Sequence, residues 1–330
     1  MEIIKQRDYK NFKPSYTWPN PAFPFRLYYD SPKCRIFIIE NIQHNWNWML
    51  EWHEHFRKTD FFIVYCGWYH SPAYANEADT IFSILSLDKT QFFFMYNSQL
   101  EMDNFAVKGF QGEVINHNAW LDENLVMRPL VIEKVYGAIY VARRSAFKRH
   151  LLASKVSSLA LVAGINHGNA ISDIPKYDYL NDRPLSPEEV CEKINQAHCG
   201  LILSEEEGTC FASSEYLLCG IPVVSTLSRG GRDVWYNEYN SIICEPAADK
   251  VAAAVEEFMR SPRDPQKIRR MHLEQSEEYR SKFIGLLSEI FNRFGVEDVE
   301  PSSYFKKTFF HKLRKSYKPD FKAFFGGNNS

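Results

Sequence analysis

The sequence lacks the features that mark membrane-spanning, secreted or disulfide-bonded proteins. No apolar run approaches the roughly 18 residues of a membrane-spanning helix, and the first ten residues lack the charged-then-apolar order of a signal peptide. The seven cysteines are an odd number and include no Cys-x-x-Cys pair. A net charge of −2 gives no indication of a nucleic-acid partner. We therefore expect a cytosolic (cytoplasmic) protein with reduced thiols that does not bind nucleic acid.

The common short motifs of catalysis are also missing. There is no Gly-x-x-x-x-Gly-Lys loop, no Gly-x-Gly-x-x-Gly, no His-Glu-x-x-His and no Gly-x-Ser-x-Gly. Nor is there an Asp-x-Asp pair, with which metal-dependent transferases commonly hold a divalent cation against a diphosphate. The sequence therefore gives no indication of a metal site or of the enzyme classes that these motifs define.

What the sequence does have is the pattern of an α/β protein. Its 330 residues, 45% of them hydrophobic and 24% charged, suit two globular domains of about 150 residues each. Short apolar runs alternate with helical segments, which predicts mainly parallel, doubly wound sheets. Strands are predicted at residues 35–40, 61–66, 91–96, 113–116, 137–142, 159–164, 199–204, 221–226 and 241–244.

The helices of the second half have recognisable beginnings. A helix is predicted at residues 145–156 with Ser145 as its N-cap. Another is predicted at 186–197, where Ser186, Pro187 and Glu189 form a typical helix start. A third is predicted at 208–219.

This alternation predicts two Rossmann-like domains facing a cleft, residues 1–132 and 133–298, followed by a tail at 299–330. Residues 302–325 of the tail carry seven Lys or Arg and one Asp, with aromatic residues throughout. Such a segment could touch anionic lipid headgroups, or it could pack back toward the N-terminal domain with a solvated basic face, and the two readings can coexist. Two locations are therefore expected: the cytoplasm, or a peripheral position on the inner face of a membrane.

In open parallel sheets, ligands bind beyond the carboxyl ends of the strands. Three segments of the second half fall at that edge: 142–148, 204–209 and 225–231. Two of them lead into predicted helices, whose first N–H groups form a natural seat for phosphate, and Arg143 and Lys148 add cations there. Glu205 and Glu206 are interpreted as solvated acids, whereas Glu207, beside Gly208, is the carboxylate that we expect to face a sugar hydroxyl.

These segments resemble the donor site of retaining GT-B glycosyltransferases, glycosyltransferase family 4 (glycosyl transferases group 1) in particular. That signature has two glutamates with seven residues between them, a Gly-x-Pro-Val-Val strand, a Gly-Gly loop, and an earlier arginine followed five residues later by lysine. The matching residues here are Glu207-Gly208-x6-Glu215, Cys219 to Ser225 (CGIPVVS), Gly230-Gly231, and Arg143 with Lys148. This sequence departs from the family at Thr209-Cys210, where Phe-Gly is common, and at Ala142, where glycine is usual.

The resemblance implies a hexosyltransferase-like enzyme that moves a sugar from a nucleotide diphosphate-sugar donor to an acceptor with retention of configuration. It implies catalytic roles for Glu207 at the sugar and for Arg143 and Lys148 at the diphosphate, and it implies no cofactor and no metal. The donor-binding set that it implies is Glu215 (at the ribose hydroxyls), Gly208, Thr209, Cys210, Gly230 and Gly231. The acceptor would be a glycan, a glycolipid or another lipid-linked molecule, or a small molecule, as in polysaccharide or glycolipid biosynthesis.

The acceptor side is marked only by polar residues at predicted strand ends. These are Asn97, Asn116, His117 and Asn118. For His117 a structural role is an equal alternative. Two other functions stay open: a nucleotide-sugar epimerase of the same fold, and a sugar-nucleotide-binding protein without turnover.

Overall fold

The computed structural model describes residues 25–44, 46–65, 67–163 and 173–313. The chain divides into two compact units, one formed by the residues up to Trp120 together with those from Tyr279 on, the other by Leu121–Glu278. These bounds differ from the predicted ones, because residues 121–132 lie in the second unit and residues 279–298 lie in the first.

The first unit has a five-stranded sheet in the order β1-β2-β3-β4-β5, in which β1 is antiparallel to β2 and the other strands are parallel. Its strands are Phe25–Asp30 (β1), Arg35–Glu40 (β2), Asp60–Tyr65 (β3), Phe92–Tyr96 (β4) and Gln111–Val114 (β5). Its helices before residue 120 are Trp46–Trp52 (α1), Pro72–Ile84 (α2) and Gln99–Ala106 (α3).

Aromatic residues fill one face of this sheet. The rings of Phe37, Phe62 and Phe92 stack across three neighbouring strands, with centroids 5.3 and 4.5 Å apart. At the start of β2 and β3 a buried ion pair joins Arg35 to Asp60 through two bonds of 2.6 Å each. The two-pronged geometry of this pair offsets much of the cost of burying both charges.

The second unit has a six-stranded, wholly parallel sheet in the order β11-β10-β9-β6-β7-β8. Its strands are Tyr136–Val141 (β6), Leu159–Val162 (β7), Tyr179–Leu180 (β8), Ala197–Ile202 (β9), Val223–Thr226 (β10) and Ser241–Cys244 (β11). Its helices are Pro187–Asn195 (α4), Phe211–Leu218 (α5), Ala248–Arg260 (α6) and the first part of Pro265–Arg293 (α7). The predicted α/β class with two Rossmann-like sheets is confirmed.

A tyrosine of α5 enters the middle of this second sheet. The Tyr216 hydroxyl accepts a hydrogen bond from the Val141 N–H at 2.7 Å, where β6 and β9 part. The ring passes over Gly200, whose added Cβ would lie 2.1 Å from a ring carbon. The absence of a side chain at Gly200 therefore makes room for the ring that links α5 to the sheet.

The basic aromatic tail begins with a helix of the first unit, Pro301–Thr308 (α8). Its Phe305 is buried and contacts Phe283 of α7, and Tyr304 packs edge-on against Tyr28 and Tyr29 of β1. Residues 314–325 of the predicted tail lie outside the described residues. Among the helices that the structure describes, none combines the length and the apolarity needed to cross a bilayer.

The predicted helix at residues 145–156 is wrong. Two short 3-10 helices, Ala146–Lys148 and His150–Ala153, take its place, separated by Arg149 in the left-handed conformation at φ 51°. The Ser145 side chain makes no capping hydrogen bond. By contrast, α4 has the predicted start, with Ser186 and Glu189 forming a reciprocal capping box and Pro187 in the first turn.

Candidate functional site

Three loops meet at the carboxyl edge of the second sheet. They follow β6, β9 and β10, which are neighbours in that sheet, so their residues come close together although far apart in sequence. The β6 loop carries Lys148, the β9 loop carries Glu207, and the β10 loop carries Gly230 and Arg232. This is the edge at which parallel sheets bind ligands.

The β6 loop is held in place by the residues around Lys148. The Arg149 guanidinium donates to the Leu203 carbonyl at 2.6 Å and to the Thr226 hydroxyl at 2.7 Å. The Tyr140 hydroxyl donates to the Lys148 carbonyl at 2.6 Å. These contacts explain why the chain turns at Arg149 instead of continuing a helix, and they bring the Lys148 side chain over the β9 loop.

Glu207 is buried and contacts two cations and a hydroxyl. Its Oε1 pairs with Lys148 Nζ, and its Oε2 accepts from Ser204 Oγ at 2.5 Å. The exposed fractions of the Glu207 and Lys148 residues are 6% and 7%. Burial raises the pKa of Glu207, but Lys148, the Ser204 hydroxyl and a nearby guanidinium more than offset it, so the pKa is held below its usual value. Glu207 is therefore ionised at neutral pH.

That guanidinium belongs to Arg232, a functional candidate that sequence reasoning missed. Arg232 is completely buried, and its Nη1 donates to Ser204 Oγ at 2.5 Å and lies 3.7 Å from Glu207 Oε2. It also donates to the Thr226 carbonyl at 2.7 Å and to Asp233 Oδ1 at 3.1 Å. A charged residue directly after the Gly230-Gly231 pair, at the same sheet edge, was the available signal.

The β10 loop runs alongside the β9 loop and is bonded to its backbone. Arg229 donates to the Glu205 carbonyl at 2.9 Å, Glu207 donates to the Arg229 carbonyl at 3.0 Å, and Gly231 donates to the Gly208 carbonyl at 2.9 Å. Between these bonds Gly230 has φ +123°, and a Cβ there would lie 1.5 Å from the Glu207 carbonyl oxygen. The glycine is thus required both by its conformation and by the closeness of the two loops.

The remaining donor-side residues are placed around the start of α5. Gly208 and Thr209 are buried, and Cys210 takes the left-handed conformation, φ 50°, as the N-cap of α5. Burial raises the pKa of Cys210 to about 12, so it is present as a thiol. Glu215 is half-buried in the middle of α5.

Three other charged side chains lie toward solvent. Arg143 is exposed, with its guanidinium 5.6 Å from the Phe147 ring centroid. Glu205 and Glu206 are more exposed than Glu207 and pair with Arg229 at 3.8 and 3.2 Å. The interpretation of these two acids as solvated loop residues agrees with their position.

The four acceptor-side candidates are brought together in the first unit, but all are buried. Asn116 Nδ2 donates to the Asn97 carbonyl at 3.0 Å, and the His117 N–H donates to Asn97 Oδ1 at 3.2 Å. Asn118 N–H donates to Asn116 Oδ1 at 3.0 Å, and His117 Nδ1 bonds to the Tyr65 hydroxyl. These bonds tie the ends of β3, β4 and β5 together, and the acceptor role of the four residues stays a prediction.

No group of three or more His, Cys, Asp or Glu side chains with the geometry of a metal site occurs in the described part of the chain. The charges at the sheet edge are instead two buried cations, Lys148 and Arg232, around one buried carboxylate. This set suits a substrate that brings both negative charge and hydroxyl groups.

His150, next to this loop, is expected to make stability depend on pH. Burial, and then the Lys148 charge, lower the pKa of His150 to about 4, against a smaller raising effect of the Ala142 carbonyl. In the unfolded chain His150 takes up a proton near pH 6.5, whereas in the folded chain it does not. The contribution of neutral His150 to the unfolding free energy is therefore complete above pH 6.5 and is lost as the pH falls toward 4. The slope is at most about 1.4 kcal/mol per pH unit.

Urea unfolding of the wild type and of His150→Phe at intervals from pH 7.5 to 4.5 measures this contribution. The phenylalanine keeps the packing on Tyr140 and cannot titrate. The unfolding free energy of the wild type should therefore fall relative to that of the variant as the pH falls. A difference that does not change with pH would contradict the buried neutral state of His150.

Comparisons with known proteins agree with this arrangement. Residues 183–275 match the family model described as Glycosyl transferases group 1. Sequence comparison with curated proteins gives no match.

Among solved structures, the chain is similar to sucrose-phosphate synthase from Thermosynechococcus elongatus, with TM-score 0.54 and 12% identity over 78% of this chain and 74% of that one. It is similar to α,α-trehalose 6-phosphate synthase from Burkholderia multivorans, with TM-score 0.54 and 11% identity over 82% and 73%. It is also similar to Anabaena HepE in complex with UDP, with TM-score 0.51 and 12% identity over 76% and 78%.

At such identities the structural likeness shows the fold. The inferred resemblance to the glycosyl transferases group 1 is confirmed by this family match, whose segment includes Glu207, Glu215 and the Gly-Gly loop but begins after Arg143 and Lys148. The chain therefore has the GT-B fold and resembles the glycosyl transferases group 1, whose family model it matches over residues 183–275.

Proposed function

We propose that the protein is a retaining, metal-independent glycosyltransferase that moves a sugar from a nucleotide diphosphate-sugar donor to a glycan, glycolipid or small acceptor. The observation that carries the proposal is the buried Glu207, held between Lys148 and Arg232 at the carboxyl edge of the sheet. The family match over the β9 and β10 loops supports it, as do structural neighbours that are named as sugar-phosphate synthases or were solved with UDP.

The residues divide the donor between them. Glu207 accepts hydrogen bonds from the transferred sugar. When the donor binds, the Lys148 ammonium pairs with the diphosphate as well as with Glu207. Arg143, exposed at the same loop, adds a second cation. The leaving diphosphate gains negative charge as the sugar departs, and fixed cations in a buried site stabilise that charge most effectively.

The backbone at the start of α5 supports the phosphates. The N–H groups around Gly208, Thr209 and Cys210 lie at the positive end of that helix. Glu215, half-buried on the same helix, binds the ribose hydroxyls of the nucleotide. Gly230 and Gly231 keep the β10 loop close enough for its backbone to contact the donor.

A panel of nucleotide sugars, assayed with and without acceptors for release of nucleoside diphosphate, tests the proposal. One donor should be hydrolysed slowly or transferred, and the anomeric proton of the product should show retained configuration by NMR. Glu215→Ala should mainly raise the donor KM, since its contact is with the bound nucleotide, whereas Glu256→Ala, exposed on α6, should change neither constant.

The same assay separates the alternatives. An epimerase would change the sugar of the donor without releasing nucleoside diphosphate. A binding protein would bind donors and turn none of them over. A product of inverted configuration would contradict the retaining mechanism.

We further propose that the basic tail contacts anionic lipid through charge. In α8 the aromatic Phe305 is buried, whereas Lys306 and Lys307 are exposed, so the described part of the tail offers cations to a membrane surface. Each lysine near an anionic surface contributes about 1 kcal/mol. Lys306→Gln with Lys307→Gln should therefore weaken cosedimentation with phosphatidylglycerol-containing vesicles roughly 30-fold.

Pure phosphatidylcholine vesicles are the control and should bind neither protein. The lipid contact is wrong if the intact chain fails to bind anionic vesicles, or if a chain lacking residues 302–330 binds them equally well.

A further inference from the structure

Two free cysteines of the second unit lie with their sulfurs in contact. Cys191 is on α4 and Cys219 follows the end of α5 as its C-cap, and their Sγ atoms are 3.8 Å apart. Both are buried and neither is in a disulfide. A disulfide bond of about 2.05 Å would require the sulfurs to approach by roughly 1.8 Å, which side-chain rotation and a small helix shift can supply.

Cys191 also borders a cavity of about 490 Å³ within the same unit. Apolar residues from the beginning of the second unit form one wall, among them Leu125, Val126 and Leu130. Glu188 and Glu192 of α4 line the cavity beside Cys191. While Cys191 carries its proton, the carbonyls of Val126 and Arg128 accept from its Sγ at 3.3 and 3.6 Å, which places the sulfur at the cavity wall. A small oxidant can therefore reach Cys191, which is otherwise shielded from solvent.

The surroundings distinguish the two thiols chemically. The hydrogen bond from Cys219, together with the Asn195 amide 3.6 Å away, lowers the pKa of Cys191 to about 6. Burial, and then the neighbouring Cys191, raise the pKa of Cys219 well above its usual value. Cys191 is thus the thiolate that attacks an oxidant, and Cys219 keeps its proton until the second step.

We propose that Cys191 and Cys219 form a reversible intramolecular disulfide when a peroxide enters the cavity beside α4. The Cys191 thiolate attacks one peroxide oxygen, the O–O bond breaks, and the departing hydroxide takes up a proton to leave as water. The Cys219 sulfur then attacks the Cys191 sulfenic acid, forming the S–S bond and releasing a second water. Two thiols lose two electrons to one peroxide, and a dithiol reductant restores them.

The geometry makes this pair the favoured site among the described cysteines. Cys199, equally buried, instead donates to the Gly137 carbonyl at 3.5 Å, and within the described residues it contacts no second sulfur. Intracellular disulfides that form in this way are transient and respond to oxidants. The bridge would join α4 to the end of α5, so that the β9 loop lies inside the closed loop of residues 191–219.

The test treats the full-length chain with hydrogen peroxide at one to five equivalents and then counts thiols by alkylation after denaturation. Of the seven cysteines, the wild type should lose two, with a mass decrease of about 2 Da that dithiothreitol reverses. Cys199→Ser, the matched control, should also lose two thiols. Cys191→Ser should lose none at the same dose, whereas Cys219→Ser should lose only the Cys191 thiol, as a sulfenic acid without a linked peptide.

Peptide mapping identifies the partners. Digestion with trypsin and a Glu-specific protease separates Cys219 from Cys199 and Cys210, because Glu207 and Glu215 lie between them. A linked peptide pair containing Cys191 and Cys219 supports the proposal, and the wild-type map decides even if a serine variant fails to fold. Linkage of other cysteines, or oxidation of Cys191 to sulfinic acid without linkage, overturns it.

Discussion

Glu207→Gln is expected to lower turnover by two to three orders of magnitude and the unfolding free energy by about 3–5 kcal/mol. Turnover falls because the neutral amide cannot respond to positive charge that develops on the transferred sugar. Stability falls because Lys148 and Arg232, both buried beside Glu207, lose the carboxylate that balances them. The measurements are steady-state kinetics with the donor found in the panel, and urea unfolding at pH 7.5.

A double variant separates the two effects. In Lys148→Met with Glu207→Gln, one buried cation is removed together with the carboxylate, so much of the lost unfolding free energy should return. Turnover should stay at the level of the single variant or below it. Near wild-type turnover in Glu207→Gln would refute the role of the carboxylate, and a double variant no more stable than the single one would refute the charge-balance account.

Gly230→Ala should remove activity and destabilise the protein by about 2–4 kcal/mol, through strain at φ +123° and through overpacking. The added methyl would lie 1.5 Å from the Glu207 carbonyl oxygen and 3.2 Å from that of Gly208. The β9 loop must therefore move, and its movement displaces the Glu207 carboxylate from Ser204 and Lys148. Thermal unfolding and donor turnover, measured on the same preparation, report both effects.

Gly109→Ala is the matched control, since Gly109 also has a positive φ, +74°, but nothing lies within 4 Å of its added Cβ. It should cost about 1–2 kcal/mol from backbone strain alone and leave turnover unchanged. Equal losses in the two variants would show that conformation, and not the contact between the β9 and β10 loops, makes Gly230 necessary.

What the sequence predicted well was local in origin. The start of α4 was predictable because Ser186, Pro187 and Glu189 satisfy one another within a single turn. The strand at Ser241–Cys244 was found because its apolar run is short and bounded. Glu207, Gly230 and Lys148 were singled out because their chemistry and order follow a known signature, and the structure brings them to one sheet edge, while their roles stay predictions.

What it missed depends on contacts between distant segments. The helix predicted at residues 145–156 is broken because Arg149 bonds to β9 and β10, and no local preference reveals such partners. Arg232 was missed because its position at the site depends on hydrogen bonds to Ser204 and Thr226, which are brought close to it only by the pairing of strands in the sheet. For the same reason, the sequence could not predict that Asn97, Asn116 and Asn118 are buried.

The pairing of Gly200 with Tyr216 limits how this sequence can diverge. A side chain at position 200 would occupy the space of the tyrosine ring, and a smaller residue at 216 would leave the Val141 N–H without its hydroxyl acceptor. The two positions are therefore expected to covary: relatives that keep an aromatic hydroxyl at 216 should keep glycine at 200. Relatives that lose one should lose both, and would need another acceptor where β6 and β9 part.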